Sequence, residues 1–178
     1  MEREPRMRGE DPMTFLVDLH RLADVRPEEL SARSRAYQQY LDSVKDRLGL
    51  GSRAYVGAEW HLDLSHRQSP HDGWLESMTI AEPSSSTRHE QRSISIRIEL
   101  LGSRHDGKIV FTYPDVRSYQ VSAPAEFERP PLAVGHGDWL VDEVRLSSRG
   151  LVTHEILFSR GARWQIEARD FKYEWVPI

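Results

Sequence analysis

Residues 92–113 read RSISIRIELLGSRHDGKIVFTY, and this stretch decides the fold. Ile94, Ile96, Ile98 and Leu100 alternate with Ser95, Arg97 and Glu99, the two-residue period of a strand with one buried face. Asp106-Gly107 then supplies a strong hairpin signal, because both central residues of a type I′ turn need positive φ. Ile109, Phe111 and Tyr113 resume the alternation on the return. The same turn chemistry recurs in His71-Asp72-Gly73-Trp74 and His136-Gly137-Asp138-Trp139, each opening a further strand. These hairpins predict an antiparallel sheet.

Outward from that hairpin the strands are expected at Trp74–Ala81, Arg92–Leu101, Lys108–Tyr113, Val116–Ser122, Asp138–Leu146, Gly150–Phe158 and Ala162–Trp175. The last carries a phase slip. Trp164, Ile166 and Ala168 share one parity, whereas Phe171, Tyr173 and Trp175 share the other, so a β-bulge or sharp bend is predicted at Arg169-Asp170. Toward the N-terminus, residues 1–10 read as a mobile tail, followed by a helical pair over 11–50. Its first helix spans about Met13–Ala23. Its second starts near Pro27, with Leu30, Tyr37, Leu41, Val44 and Leu48 on one face and Gly49 and Gly51 as its stop. Residues 53–69 show neither period and are expected as an irregular or helical connector. The fold class predicted is α+β in a single domain, 1–178: a helical pair, then over 70–176 a curled, mostly antiparallel sheet of about seven strands.

A chain of this length buries roughly 70% of its unfolded surface and needs no cross-link to fold. It contains no cysteine, which removes disulfides, thiolate nucleophiles and cysteine-bearing metal sites. The net charge is −4, with 24 basic and 28 acidic residues, so the basic excess of a nucleic-acid binder is missing. No apolar run approaches the ~20 residues of a membrane span, and the first residues lack the apolar core of a signal peptide. The expectation is a cytoplasmic protein with no nucleic-acid or membrane partner.

In an up-and-down meander, alternate turns share one end of the sheet. That places His71 and Asp72, His105 and Asp106, and His136 and Asp138 on one rim. Histidine and aspartate suit hard-metal or zinc ligation and proton transfer, so this rim is the candidate site of a metal-dependent hydrolase. Asp-Gly is also ordinary turn chemistry, and only a curled sheet would bring His136 to His71. The default expectation is therefore no catalytic group, no bound metal and no cofactor. The Pro-rich loop 122–137 hangs over the same rim, and Phe127, Arg129 and Leu132 make it a candidate binding arm. No nucleophile elbow, Walker loop, dinucleotide fingerprint or zincin helix is present.

The segment from the His-Asp-Gly-Trp-Leu opening at 71–75 to the closing Asp170-Phe171-Lys172-Tyr173-Glu174 resembles small bacterial proteins. Some of these are similar to immunity partners encoded beside secreted toxins. The resemblance covers Pro70 to Trp175 and implies an interaction role without catalysis. The function expected is thus a protein-binding module, of toxin-neutralising type. A His/Asp hydrolase and a small-ligand carrier are the alternatives.

Overall fold

The structure is a computed structural model and describes residues 15–17, 26–84, 88, 91–124 and 135–178. The expected tail lies outside these residues, as does the first helix apart from Phe15–Val17. Helix α1 spans Pro27–Val44. Proline suits the first helical position because its missing N–H has no partner there, and Glu28 and Glu29 face the positive end of the helix dipole. Its buried face carries Tyr37, Leu41 and Val44.

The double glycine does not stop this helix. A single 3-10 turn at Lys45–Arg47 follows, and then α2 begins at Leu50 and runs to Val56 with Gly51 inside it. The glycines serve close packing. A Cβ at Gly49 would stand 2.2 Å from the Asp170 carboxyl carbon, and one at Gly51 would stand 2.0 Å from the Phe171 carbonyl oxygen.

Among the described residues eight strands follow: β1 Trp74–Ala81, β2 Ile94–Leu101, β3 Gly107–Val116, β4 Ser118–Val121, β5 Trp139–Leu146, β6 Val152–Phe158, β7 Arg163–Ala168 and β8 Lys172–Pro177. They form two four-stranded antiparallel sheets, ordered β1-β2-β3-β8 and β4-β7-β6-β5. This corrects the expectation of one curled seven-stranded sheet. The physical reason lies at two corners. At Arg117 the chain leaves the first sheet as β3 and enters the second as β4; at 169–171 it makes the reverse passage, from β7 to β8. The phase slip at Arg169-Asp170 marks the second corner, so the expected strand Ala162–Trp175 is two strands in two sheets.

The inner faces meet in one core. Ile96, Ile98, Leu100, Ile109 and Phe111 are fully buried, as their alternation requires, and Phe111 stacks on Trp139 of the opposite sheet at 5.3 Å between ring centres. The sheets also touch at their edges, where Trp74 bridges Asp138 and the Trp139 N–H donates to the Gly73 carbonyl at 2.9 Å. Strand β5 ends its sheet, and α1 lies along it. The Val144 and Leu146 N–H groups donate to the hydroxyls of Tyr37 at 2.6 Å and Tyr40 at 2.9 Å. On the same strand, buried Glu143 accepts the Phe15, Leu16 and Val17 amides, which ties the N-terminal segment to the second sheet.

The β2–β3 turn also differs from its sequence signature. Residues 103–106 form a four-residue loop closed by the Gly102 N–H on the Gly107 carbonyl at 2.9 Å, and the positive φ falls on His105. Gly107 begins β3 instead. Its missing side chain admits the Trp175 ring, whose nearest atom would lie 2.1 Å from a Cβ there.

Candidate functional site

Asp170 stands at the corner between β7 and β8 and reaches the start of α2. Its carboxylate accepts the Gly51 amide at 2.9 Å, the Ser52 amide at 2.8 Å and its neighbour Phe171's amide at 2.9 Å. Burial raises its carboxyl pKa, but these hydrogen bonds outweigh burial and hold it below the ordinary value. The cap fixes α2 against β8, and between them opens a cleft of about 520 Å³. Leu50, Gly51, Ala54, Tyr55, Trp60, Phe171 and Tyr173 line it, together with Pro114, Asp170 and Lys172. The aromatic walls brace one another: Trp60 meets Tyr173 at 4.9 Å, and Tyr55 meets both Trp60 at 5.7 Å and Phe171 at 5.4 Å. The Tyr173 hydroxyl donates to the Gln68 carbonyl at 2.6 Å, and burial pushes its phenol pKa up.

Behind the Tyr55 ring lies a buried polar chain. Asp142 accepts the Tyr55 hydroxyl at 2.9 Å, the Trp139 indole N–H at 3.0 Å and His154 Nε2 at 2.9 Å. Burial raises the Asp142 carboxyl; the donors and the nearby imidazoles overcome this and leave it below the ordinary value. An ionised carboxylate only accepts, so Nε2 carries the hydrogen of that bond, and Nδ1 faces the Tyr113 hydroxyl at 2.6 Å. The His154 side chain is fully covered and that of Asp142 is 8% exposed. This arrangement satisfies polar groups inside the core, where the His154 ring packs among those of Phe111, Trp139 and Phe171. His61 sits alongside, with its ring 4.6 Å from Tyr55, and neither of its nitrogens has a hydrogen-bond partner among the described residues. Burial, opposed by Asp142 and aided by His154, lowers its pKa to about 4.

The expected rim is drawn together by the β1–β5 contact, but its side chains go to separate partners. His71 Nδ1 lies 2.6 Å from the Leu140 carbonyl, and its Nε2 lies 3.6 Å from exposed Asp72. His105 packs edge-on against Trp74, and Asp106 pairs with Arg67 at 3.2 Å. His136 packs against Phe158 and Trp164, and Asp138 is held through its backbone by Trp74 and Ser159. Among the described residues no three His, Asp or Glu side chains gather to hold a metal ion. Trp74, His136, Asp138 and Arg160 line an open hollow on this rim. Phe127, Arg129 and Leu132, the expected binding arm, lie outside the described residues.

Sequence reasoning passed over the cleft and the polar chain. Asp142 and His154 had left a signal: each occupies the inward parity of a strand, beside Val144 and Ile156 respectively, where an apolar residue is the norm. The cleft had no such local mark, because Ala54 and Trp60 meet Phe171 and Tyr173 only after the chain has made both sheets. Compared with known protein families, with curated protein sequences and with solved structures, the chain gives no match in any of the three.

Proposed function

We propose that the chain is a non-catalytic binding module that takes an apolar ligand of small-molecule size into the α2–β8 cleft. One observation carries this: a preformed volume of about 520 Å³ with aromatic and aliphatic walls. It falls within the size range of small-ligand sites and has their composition, mostly apolar with a few polar groups at the edge. Tyr55 and Asp170 border the cleft, but the Tyr55 hydroxyl is bonded to Asp142 and the Asp170 oxygens to helix amides. That leaves shape and burial as the means of recognition, which favours the carrier expectation over the hydrolase. The protein-partner expectation drew on the resemblance over Pro70 to Trp175, which no comparison supports, and on the loop 122–137, much of which lies outside the described residues, so the cleft carries the proposal instead.

The test uses N-phenyl-1-naphthylamine, a neutral dye that brightens in apolar surroundings. The protein should bind it with one-to-one stoichiometry. Ala54→Trp, a change at an exposed position of the cleft wall, should abolish binding while the melting temperature holds. Dye binding that survives Ala54→Trp places the ligand elsewhere and ends the proposal.

A further inference from the structure

The charge around the α2–β8 cleft has one sign. Asp170 lines it, and its carboxylate rests on the amides of Gly51 and Phe171, both at 2.9 Å, which line it too. Behind the Tyr55 ring, Asp142 accepts the Tyr55 hydroxyl at 2.9 Å. After burial, the Asp142 charge is the next cause that raises the phenols of Tyr55 and Tyr173, so it is felt at the cleft wall. Among the described lining residues only Lys172 has a cationic side chain, and it turns away. It alternates with Tyr173 along β8, so its side chain leaves the opposite face of the sheet, where its ammonium holds Glu174 at 2.8 Å.

Hydrogen bonding at the two carboxylates is taken up, but their charge still acts. Asp170 accepts three amides, and Asp142 accepts the Tyr55 hydroxyl, the Trp139 indole and His154. An ammonium bearing N–H groups would have to break into these sets or bury its donors unmatched, which is costly. A quaternary ammonium has no N–H to satisfy. Its charge is spread over methyl groups that suit apolar walls and are drawn to the faces of Trp and Tyr rings. From this juxtaposition of aromatic walls with two carboxylates already supplied with donors, we infer that the ligand is a monocation with a methylated, N–H-free ammonium beside its apolar body. The inference rests on the cleft being the binding site. Trp60 and Tyr173, the two part-exposed rings of the wall, receive the methyl groups, and Asp170 and Asp142 select the charge.

Three ligands of one shape separate charge from hydrogen bonding. Phenyltrimethylammonium carries the quaternary nitrogen, and tert-butylbenzene has a neutral carbon in its place. In 2-phenylpropan-2-ylammonium a charged amine replaces one methyl of the neutral ligand. Each is titrated near pH 7 against N-phenyl-1-naphthylamine bound to the full chain. Phenyltrimethylammonium should displace the dye at about fivefold lower concentration than tert-butylbenzene, the scale of a cation on aromatic faces. The amine should be weaker than the quaternary ligand. Added salt should shrink the lead of the quaternary ligand over the neutral one, and Asp170→Asn, which keeps an acceptor for α2, should shrink it likewise. A neutral ligand or an amine that matches phenyltrimethylammonium, or a lead that salt and Asp170→Asn both leave intact, overturns the charge preference, while dye binding lost in Ala54→Trp keeps the cleft. If the dye does not bind, or survives Ala54→Trp, the cleft itself fails and the inference falls with it.

Discussion

Gly51 passes so close to Phe171 that a Cβ on it would stand 2.0 Å from the Phe171 carbonyl oxygen. In an isolated helix Gly→Ala stabilises by about 1 kcal/mol. Here the sign reverses, because the contact is with backbone and can be relieved only by moving α2 away from β8. Gly51→Ala is expected to cost about 1–3 kcal/mol, the scale of overpacking. Urea unfolding followed by circular dichroism measures it, and a midpoint at or above that of the unaltered protein would refute the close approach.

Asp170→Ala removes the cap of α2 and should cost about 1 kcal/mol near neutral pH. The carboxyl pKa is lower in the folded protein than its ordinary 3.8, so the stabilisation is present above that value and is lost as pH falls through the folded one. The difference between the two proteins should therefore shrink in acid. Denaturant titrations on either side of the carboxyl range check this, and a constant difference would show that Asp170 acts through packing rather than charge.

His61 provides a second pH dependence at a higher range. Its ordinary value of 6.5 is lowered to about 4 by burial, so the folded protein favours the neutral ring. Stability is complete above the unfolded value and declines as pH falls from 6.5 toward about 4, by an amount on the order of 3 kcal/mol. His61→Leu should flatten that part of the stability profile, since leucine binds no proton. An unaltered slope in the variant would assign the titration to another group.

Tyr37 and Tyr40 perform the same bond in different surroundings. Tyr37 is fully buried, and Tyr37→Phe leaves the Val144 amide without a partner, at a cost of about 1–3 kcal/mol. Leu146 is half-buried, so water can replace the hydroxyl after Tyr40→Phe, and the loss should stay below about 1 kcal/mol. Melting temperatures of the two variants compare them directly. Equal losses would mean that solvent reaches the two edge amides alike, against the difference in their burial.

The strands around Ile94–Leu100 and Ile109–Tyr113 were legible because alternation reports directly on which face is covered. What alternation does not report is which sheet a strand belongs to. Pro114-Asp115 is expected to separate two strands, whereas β3 runs through it to Val116 and the change of sheet falls at Arg117; at Arg169-Asp170 the pattern leaves a slip that a bulge would also produce. The Asp-Gly at 106–107 misled for a related reason: a glycine fitted to the Trp175 ring looks the same in sequence as one fitted to a turn. The helix stop at Gly49 and Gly51 misled likewise, since both glycines answer to Asp170 and Phe171 more than a hundred residues away. Leu50 and Ala54 lie as far from Phe171 and Tyr173 along the chain, so no local pattern announces the cleft.

The tyrosine hydroxyls on β5 have a consequence for assembly. A sheet's last strand offers a row of free amides, and a passing strand from another molecule can pair with them and extend the sheet without limit. On β5 two of those donors are already occupied by Tyr37 and Tyr40, and α1 bars the approach. Lifting or cutting away α1 would therefore do more than weaken the fold. It would expose a template for polymer growth, with each added chain presenting the same bare edge to the next.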